Sequence, residues 1–280
     1  MEIINWLWAN FINYPFTNAL LFLYTLVGHN FTIAIAIFTV LIRLITVPLT
    51  LASQKNQQRM TEMQPKMKEI QTKYKDQPEK MNAELQALGV GPTQMLGGCL
   101  PMVLQFPIMI GLYQAINHAM AVTPLALVDL YHAIYPFFPN FDKLIPVNNH
   151  FLWLNLALPD PFYVLPALVF ATTWLSQKLI TPPAQPGAES QATQMTQQMG
   201  ITMSIMFGFM SLQFASGLSI YFIVSNLVSM VQYPLTNSQQ RKRIIAFLRG
   251  EKLPEPAPAP KGQKASGKSS RKPAKAGAKK

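Results

Sequence analysis

The sequence predicts an all-α polytopic membrane protein, with five transmembrane helices around a hydrophilic groove and a cytoplasmic helical hairpin. Three observations predict it. The 280-residue chain is 50% hydrophobic and 12% charged, with a mean hydropathy of +0.18, whereas soluble chains carry roughly 25% charged residues. Its apolar residues gather in tracts of the length needed to cross about 30 Å of hydrocarbon at about 1.5 Å per residue. The charge lies between those tracts. Of 23 Lys and Arg, 13 follow residue 236 and seven fall in 51–95; only Arg43, Lys143 and Lys178 lie elsewhere. The single cysteine, Cys99, excludes a disulfide framework or a Cys-based metal site within one chain.

Residues 1–30 are expected outside the cytoplasm. Within them 14–28, YPFTNALLFLYTLVG, is apolar but short and ends at Gly28-His29-Asn30. Of an extra span and an amphipathic helix lying in the membrane interface, the interfacial helix fits better. MEIINWLW has no basic residue ahead of its apolar stretch, so it does not read as a secretory signal or a transit peptide. The first span is 31–51, interrupted only by Arg43. The polar stretch 52–95 reads as a helical hairpin: Met60, Met63, Met67 and Ile70 recur at helical spacing, Asp76-Gln77-Pro78 turns the chain, and 79–88 forms the return arm. Such a Met face suits a mobile lid that touches varied apolar guests; the plainer reading is a solvated loop that only orients the spans. The second span is 96–116, followed by an outer loop over 117–161. The third span is 162–180, followed by a Pro/Gln-rich cytoplasmic linker over 181–197. The fourth and fifth, 198–214 and 217–235, are joined so closely at Ala215-Ser216-Gly217 that they read as a helical hairpin. Prolines 48, 101, 107 and 166 are tolerable inside spans where neighbours re-satisfy the freed carbonyls.

Basic residues set the orientation, because they accumulate on the cytoplasmic side. Residues 1–42 have none, 51–95 have seven, 117–161 have Lys143 alone, and the tail 236–280 has 13. Five spans then place the N-terminus outside and the C-terminus in the cytoplasm. The tail opens with a basic amphipathic stretch carrying Arg241, Lys242, Arg243 and Arg249, and continues as a Pro/Ala/Lys/Gly-rich segment of disordered composition. Such a tail binds anionic lipids or RNA phosphates, or is simply a solvated retention segment.

Arg43 most needs a physical account. It lies 12 positions into its span, where a cation costs at least about 2.5–3.5 kcal/mol. None of the 12 acidic residues falls inside a span. Polar neighbours are available instead. Thr39, Thr46 and Thr50 share its helical stripe. Gln105 lies in the second span, and the fifth carries Ser219, Asn226 and Ser229 near one face, with Ser225 and Gln232 beside it. Uncharged polar groups around one unpaired arginine describe a hydrated groove; the competing reading is an arginine that snorkels to the inner headgroups. A groove of this kind, open to the cytoplasm, suits a transient guest. The guest's polar end lodges there while its apolar segment passes into lipid.

Five motifs then resemble one family in order: IRLITVPLT (42–50), QPKMKEIQTKYKD (64–76), LQFPIMIGLY (104–113), WLNLALPDPFYVLPAL (153–168) and SGLSIYFIVSNLVSMVQ (216–232). Together they resemble the YidC–Oxa family of membrane-protein insertases, in the short bacterial form without a large extracytoplasmic domain. The sequence departs from the family pattern at Ala215, where a proline is usual, and in having no separate leading signal-anchor span. The resemblance implies a five-helix core with a positively charged groove, in a multi-pass protein of the bacterial cytoplasmic (inner) membrane. It implies an insertase and chaperone for nascent membrane proteins, acting alone or with the Sec translocon, whose basic tail contacts the ribosome through rRNA. By position Arg43 is the groove arginine, and Gln105 and Tyr221 lie near the substrate path. No cofactor or metal is implied.

The competing class is a solute transporter or channel. Coupled transporters commonly carry intramembrane carboxylates and internal repeats, and this sequence shows neither. An enzyme is not expected: the four histidines lie outside or at the outer edge of the spans, and neither H-E-x-x-H nor G-x-S-x-G occurs.

Overall fold

The computed structural model describes residues 2–75, 77–87, 92–120, 124–135, 147–180, 191–236, 241–242, 245–246 and 249. The side chains at 57–58, 60–62, 64, 92–102, 104, 124–126, 180, 191–197 and 199 stand outside that description. The described chain is almost entirely helical.

Helix α1 (Glu2–Trp8) and helix α2 (Tyr14–Leu26) are joined by a π-helical turn at Ala9–Asn13. Pro15 follows directly in the first turn of α2. A proline ring clashes with the carbonyl four residues back in a regular helix, and the wider π turn sits where that clash would fall. The stretch read as a short interfacial helix is therefore the end of a longer one. Thr17, Asn18, Leu20, Leu21, Leu23 and Tyr24 of α2 are buried. Gly28 and His29 end it in the left-handed region, at φ 69° and 64°, and the His29 N–H closes onto the Tyr24 carbonyl at 3.0 Å.

Asn30 then caps α3 (Phe31–Lys73), its side-chain oxygen accepting from the Ile33 N–H at 3.1 Å. This helix joins two elements that the sequence reading separated, the first span (31–51) and the first arm of the hairpin (from 52). Residues 52–59, ASQKNQQR, are polar but contain neither Gly nor Pro. The solvent preference changes there while nothing stops the helix, and neither Pro48 nor Pro65 breaks it. The return arm is α4 (Pro78–Ala87), and α5 (Pro92–Met120) outruns the expected 96–116 at both ends. The outer loop contains α6 (Pro124–Ala133) and a minimal antiparallel hairpin, β1 (His150–Phe151) with β2 (Leu154–Asn155), pairing Phe151 with Leu154. The remaining helices are α7 (Val164–Ile180), α8 (Gln191–Ser211) and α9 (Ser216–Thr236). Read as a tight helical hairpin, α8 and α9 touch mainly near their short connection. Helix α8 packs instead along α7, and α9 lies between α7 and α3. By length and composition, Phe31–Asn56 and Ser216–Thr236 are the two described stretches fit to cross a membrane.

The core sits at the end of the bundle where α3 and α9 begin. Phe31, Ile35, Leu112, Ile116, Leu130, Leu156 and Leu218 are fully buried there with Leu20 and Leu21. Gly217 lets the start of α9 close this layer. A Cβ at that position would stand 3.3 Å from Ile35, from Ile116 and from the Leu156 carbonyl, tighter than ordinary van der Waals contact. The Ser216 and Gly217 N–H groups donate to the carbonyls of Leu158 and Leu156 at 2.8 and 3.1 Å. Asp160 holds the approach to α7: its carboxylate accepts from the N–H of Leu165 at 2.7 Å, of Phe162 at 3.1 Å, and from the Trp153 indole at 3.3 Å.

Candidate functional site

Inward of the apolar core, the layer changes character. Thr39 is fully buried on α3, and its hydroxyl donates to its own helix at the Ile35 carbonyl. One turn further in, half-buried Arg43 reaches across to α9. Its Nε donates to the Ser225 hydroxyl at 2.9 Å, and its Nη2 donates to the same oxygen. Ser225 lies beside the buried Tyr221 hydroxyl, which in turn accepts from the Gln105 amide of α5 at 2.8 Å. Three helices thus converge on one guanidinium. The side chain runs across to α9 at its own depth, with no extension along α3 toward the inner end. No acidic residue occurs in 31–54, 103–120, 164–179 or 200–236, so among the described residues the charge is met by a neutral oxygen, Ser225 Oγ. Among the described residues those two bonds leave most of the guanidinium's five N–H donors unpaired, which suits water or a guest.

Arg43, Gln105 and Tyr221 are therefore brought together, through Ser225, a residue left outside the predicted set. The sequence placed it only beside the polar face of the fifth span, one turn after Tyr221. The other predicted residues go to other tasks. Thr46 and Thr50 keep to the stripe but donate to their own helix, at the carbonyls of Ile42 and Thr46. Ser229 donates to the Ser225 carbonyl. Ser219 meets Ser211 at 2.6 Å on the contact between α9 and α8. Asn226 turns away from Arg43 and donates to Thr173 at 2.8 Å and Thr172 at 3.3 Å on α7. In the hairpin, Met63 is half-buried and Met67 is buried, so Met67 is not presented to a guest in this arrangement; the Met60 side chain lies outside the described residues. Arg241, Lys242 and Arg249 are exposed, and Arg243 lies outside the described residues.

Residues 22–243 match the model of the 60Kd inner membrane protein family. The chain belongs to that family. Among relatives, the membrane protein insertase YidC of Oleidesulfovibrio alaskensis (strain G20) is 36% identical over 236 residues, covering 82% of this chain and 39% of that protein. The membrane protein insertase YidC of Nitratidesulfovibrio vulgaris (strain DP4) is 40% identical over 162 residues, covering 56% of this chain and 26% of that protein. A crystal structure of an active YidC insertase with its first transmembrane domain resolved superposes with a TM-score of 0.52 at 26% identity, over 76% of this chain and 43% of that one. This member of the 60Kd family spans about two fifths or less of those relatives, and the matched stretch takes in all of α3 to α9, including Arg43, Gln105, Tyr221 and Ser225.

Proposed function

We propose that this protein is a membrane-protein insertase. The observation that carries the reading is Arg43, held beside Ser225, Tyr221 and Gln105 and, among the described residues, met by no acidic group. A polar or acidic end of a nascent membrane protein lodges beside this cation while the adjoining apolar segment leaves between helices for the lipid. The apolar segment gains its own transfer free energy, about 0.8 kcal/mol per buried CH₂, so the step needs no ATP. The protein's part is to lower the barrier for the polar end, since a buried charge pays heavily without a partner.

On this reading five helices, α3, α5, α7, α8 and α9, cross the bacterial cytoplasmic membrane around a positively charged groove, with the N-terminus outside and the tail inside. The hairpin of α3 and α4 receives the guest, and the protein works alone or with the Sec translocon. Its role extends to chaperoning larger clients. Arg241, Lys242, Arg243 and Arg249 lead a basic tail suited to rRNA phosphates and anionic lipids. Two relatives named as insertases, at 40% and 36% identity, and a family match that takes in the site residues support the reading.

The test is reconstitution. Purified protein in liposomes should insert a small single-span protein with an acidic tail, and Arg43→Ala should slow that insertion at least tenfold. Liposomes that move a solute but insert no protein would overturn the reading in favour of a transporter.

A further inference from the structure

Helices α3 and α9 run in parallel and in one register. Arg43 bonds Ser225, and Gln54 accepts from the Thr236 hydroxyl at 3.2 Å; both pairs are separated by 182 positions. Ile35 and Gly217, in close approach at the outer end, stand at the same offset. One offset therefore holds from residue 35 to residue 54, about 28 Å of helix at roughly 1.5 Å per residue. It sets polar residue against polar residue at four levels inward of the core: Thr39 with Tyr221, Arg43 with Ser225, Thr50 with Gln232, Gln54 with Thr236; between the second and third, Thr46 faces Val228 and Val47 faces Ser229. The inner half of this seam is buried yet incompletely bonded. Ser53 and Gln54 are 3% and 6% exposed. Even so, Ser53 Oγ and Gln232 Nε2 have no hydrogen-bond partner among the described residues, and the Gln54 amide nitrogen has only the neighbouring Tyr233 hydroxyl to turn to. Native proteins rarely leave such groups unpaired.

We propose that the inner half of the α3–α9 seam is a binding site for the main chain of an extended polypeptide, a proposal that rests on the insertase reading. The chemistry points to peptide carbonyls. Gln54 Oε1 shares the Thr236 hydroxyl with two carbonyls of α9, and its amide carries two N–H donors, of which the Tyr233 hydroxyl can take one; the unpartnered atom of Gln232 is likewise an amide nitrogen. All three groups are neutral, so they do not select for charge; that is left to Arg43 further out. The spacing fits too. Thr50, level with Gln232, lies one turn from Gln54, about 6 Å along the seam. Carbonyls two residues apart on one edge of an extended chain repeat at about 6.6 Å. A site that reads main chain accepts any sequence, which an intake for varied clients requires. The Gln54–Thr236 bond must part to admit the guest.

Two measurements test this in liposomes holding the full chain with Cys99→Ser. The first uses two single-span substrates that differ only in tail charge, acidic or neutral. Gln54→Met with Gln232→Met should slow both by the same factor, about tenfold for the loss of two hydrogen bonds. Loss confined to the acidic substrate, or no loss at all, overturns the proposal. The second places cysteines at Gln54 and Thr236 and joins them with a short bis-methanethiosulfonate bridge. Insertion should stop and return on adding dithiothreitol, and that recovery shows the protein was folded throughout. Undiminished insertion by the bridged protein overturns the seam while leaving the insertase reading intact. A wild-type control inactive on every substrate overturns both.

Discussion

Ser225 is the acceptor for two N–H groups of one guanidinium, and bonds to a charged donor are worth about 1.5–3 kcal/mol each. Ser225→Ala therefore frees Arg43 from its place beside Tyr221 and Gln105. Insertion of an acidic-tailed substrate should fall roughly tenfold, one such bond at its weaker end, and Ser225→Thr should restore most of it, since the hydroxyl is what matters. Initial insertion rates in liposomes read both. Asn226 lies one position further on and points the other way, into Thr172 and Thr173. Asn226→Ala should lower the thermal stability of the purified protein by about 1 kcal/mol, a neutral hydrogen bond's typical contribution, with initial insertion rates changed less than twofold. Arg43 was legible in the sequence because a cation inside an apolar tract is expensive and visible. The division of labour between Ser225 and Asn226 was not legible. Adjacent helical residues differ by about 100° in direction, and which neighbour each one meets is settled by helix packing.

The elements were read best where a chemical signal coincides with a backbone signal. Asp76-Gln77-Pro78 marks the turn into α4, which begins at Pro78, and the short Ala215-Ser216-Gly217 connection marks the start of α9. The continuity of α3 was missed because its change from apolar to polar at residue 52 carries no stop signal. Helix α6 and the small β hairpin were missed because both are short and draw their stability from burial of Leu130, Leu154 and Leu156 in the shared core. The approach to α7 depends on Asp160. Desolvation raises its pKa, but the N–H groups of Leu165, Phe162 and Val164 and the Trp153 indole outweigh that and hold the carboxyl below 3.8, its ordinary value. A depressed carboxylate contributes stability above its unfolded pKa and loses it as pH falls through the folded value. The outer cap should therefore loosen below about pH 4: hydrogen exchange at the Leu165 and Phe162 amides should accelerate on going from pH 7 to pH 3, once corrected for intrinsic rates. Asp160→Asn should show the faster exchange already at pH 7, with the pH dependence gone.

Across the whole molecule, burial divides along the helix axes. The end at which α3 and α9 begin holds the apolar core, sealed where Gly217 lets α9 close against Ile35 and Ile116; the opposite end, cytoplasmic on the proposed reading, holds buried Ser53, Gln54, Ser225 and Ser229. Apolar packing excludes water, whereas incompletely bonded polar groups recruit it. Water should therefore enter from one side only, and this separates a one-sided groove from a channel. Cysteine replacing half-buried Thr50 or fully buried Ile35, in a Cys99→Ser background, reports it with a membrane-impermeant maleimide. In inside-out vesicles the Thr50 position should label readily; in right-side-out vesicles it should not. The Ile35 position should label in neither. Labelling of Thr50 from the outer side would show a continuous water path past Gly217, as a channel requires. Protection of Thr50 from both sides would show that Arg43 lies in a dry seam, and its unpaired N–H groups would then have neither water nor guest to meet them.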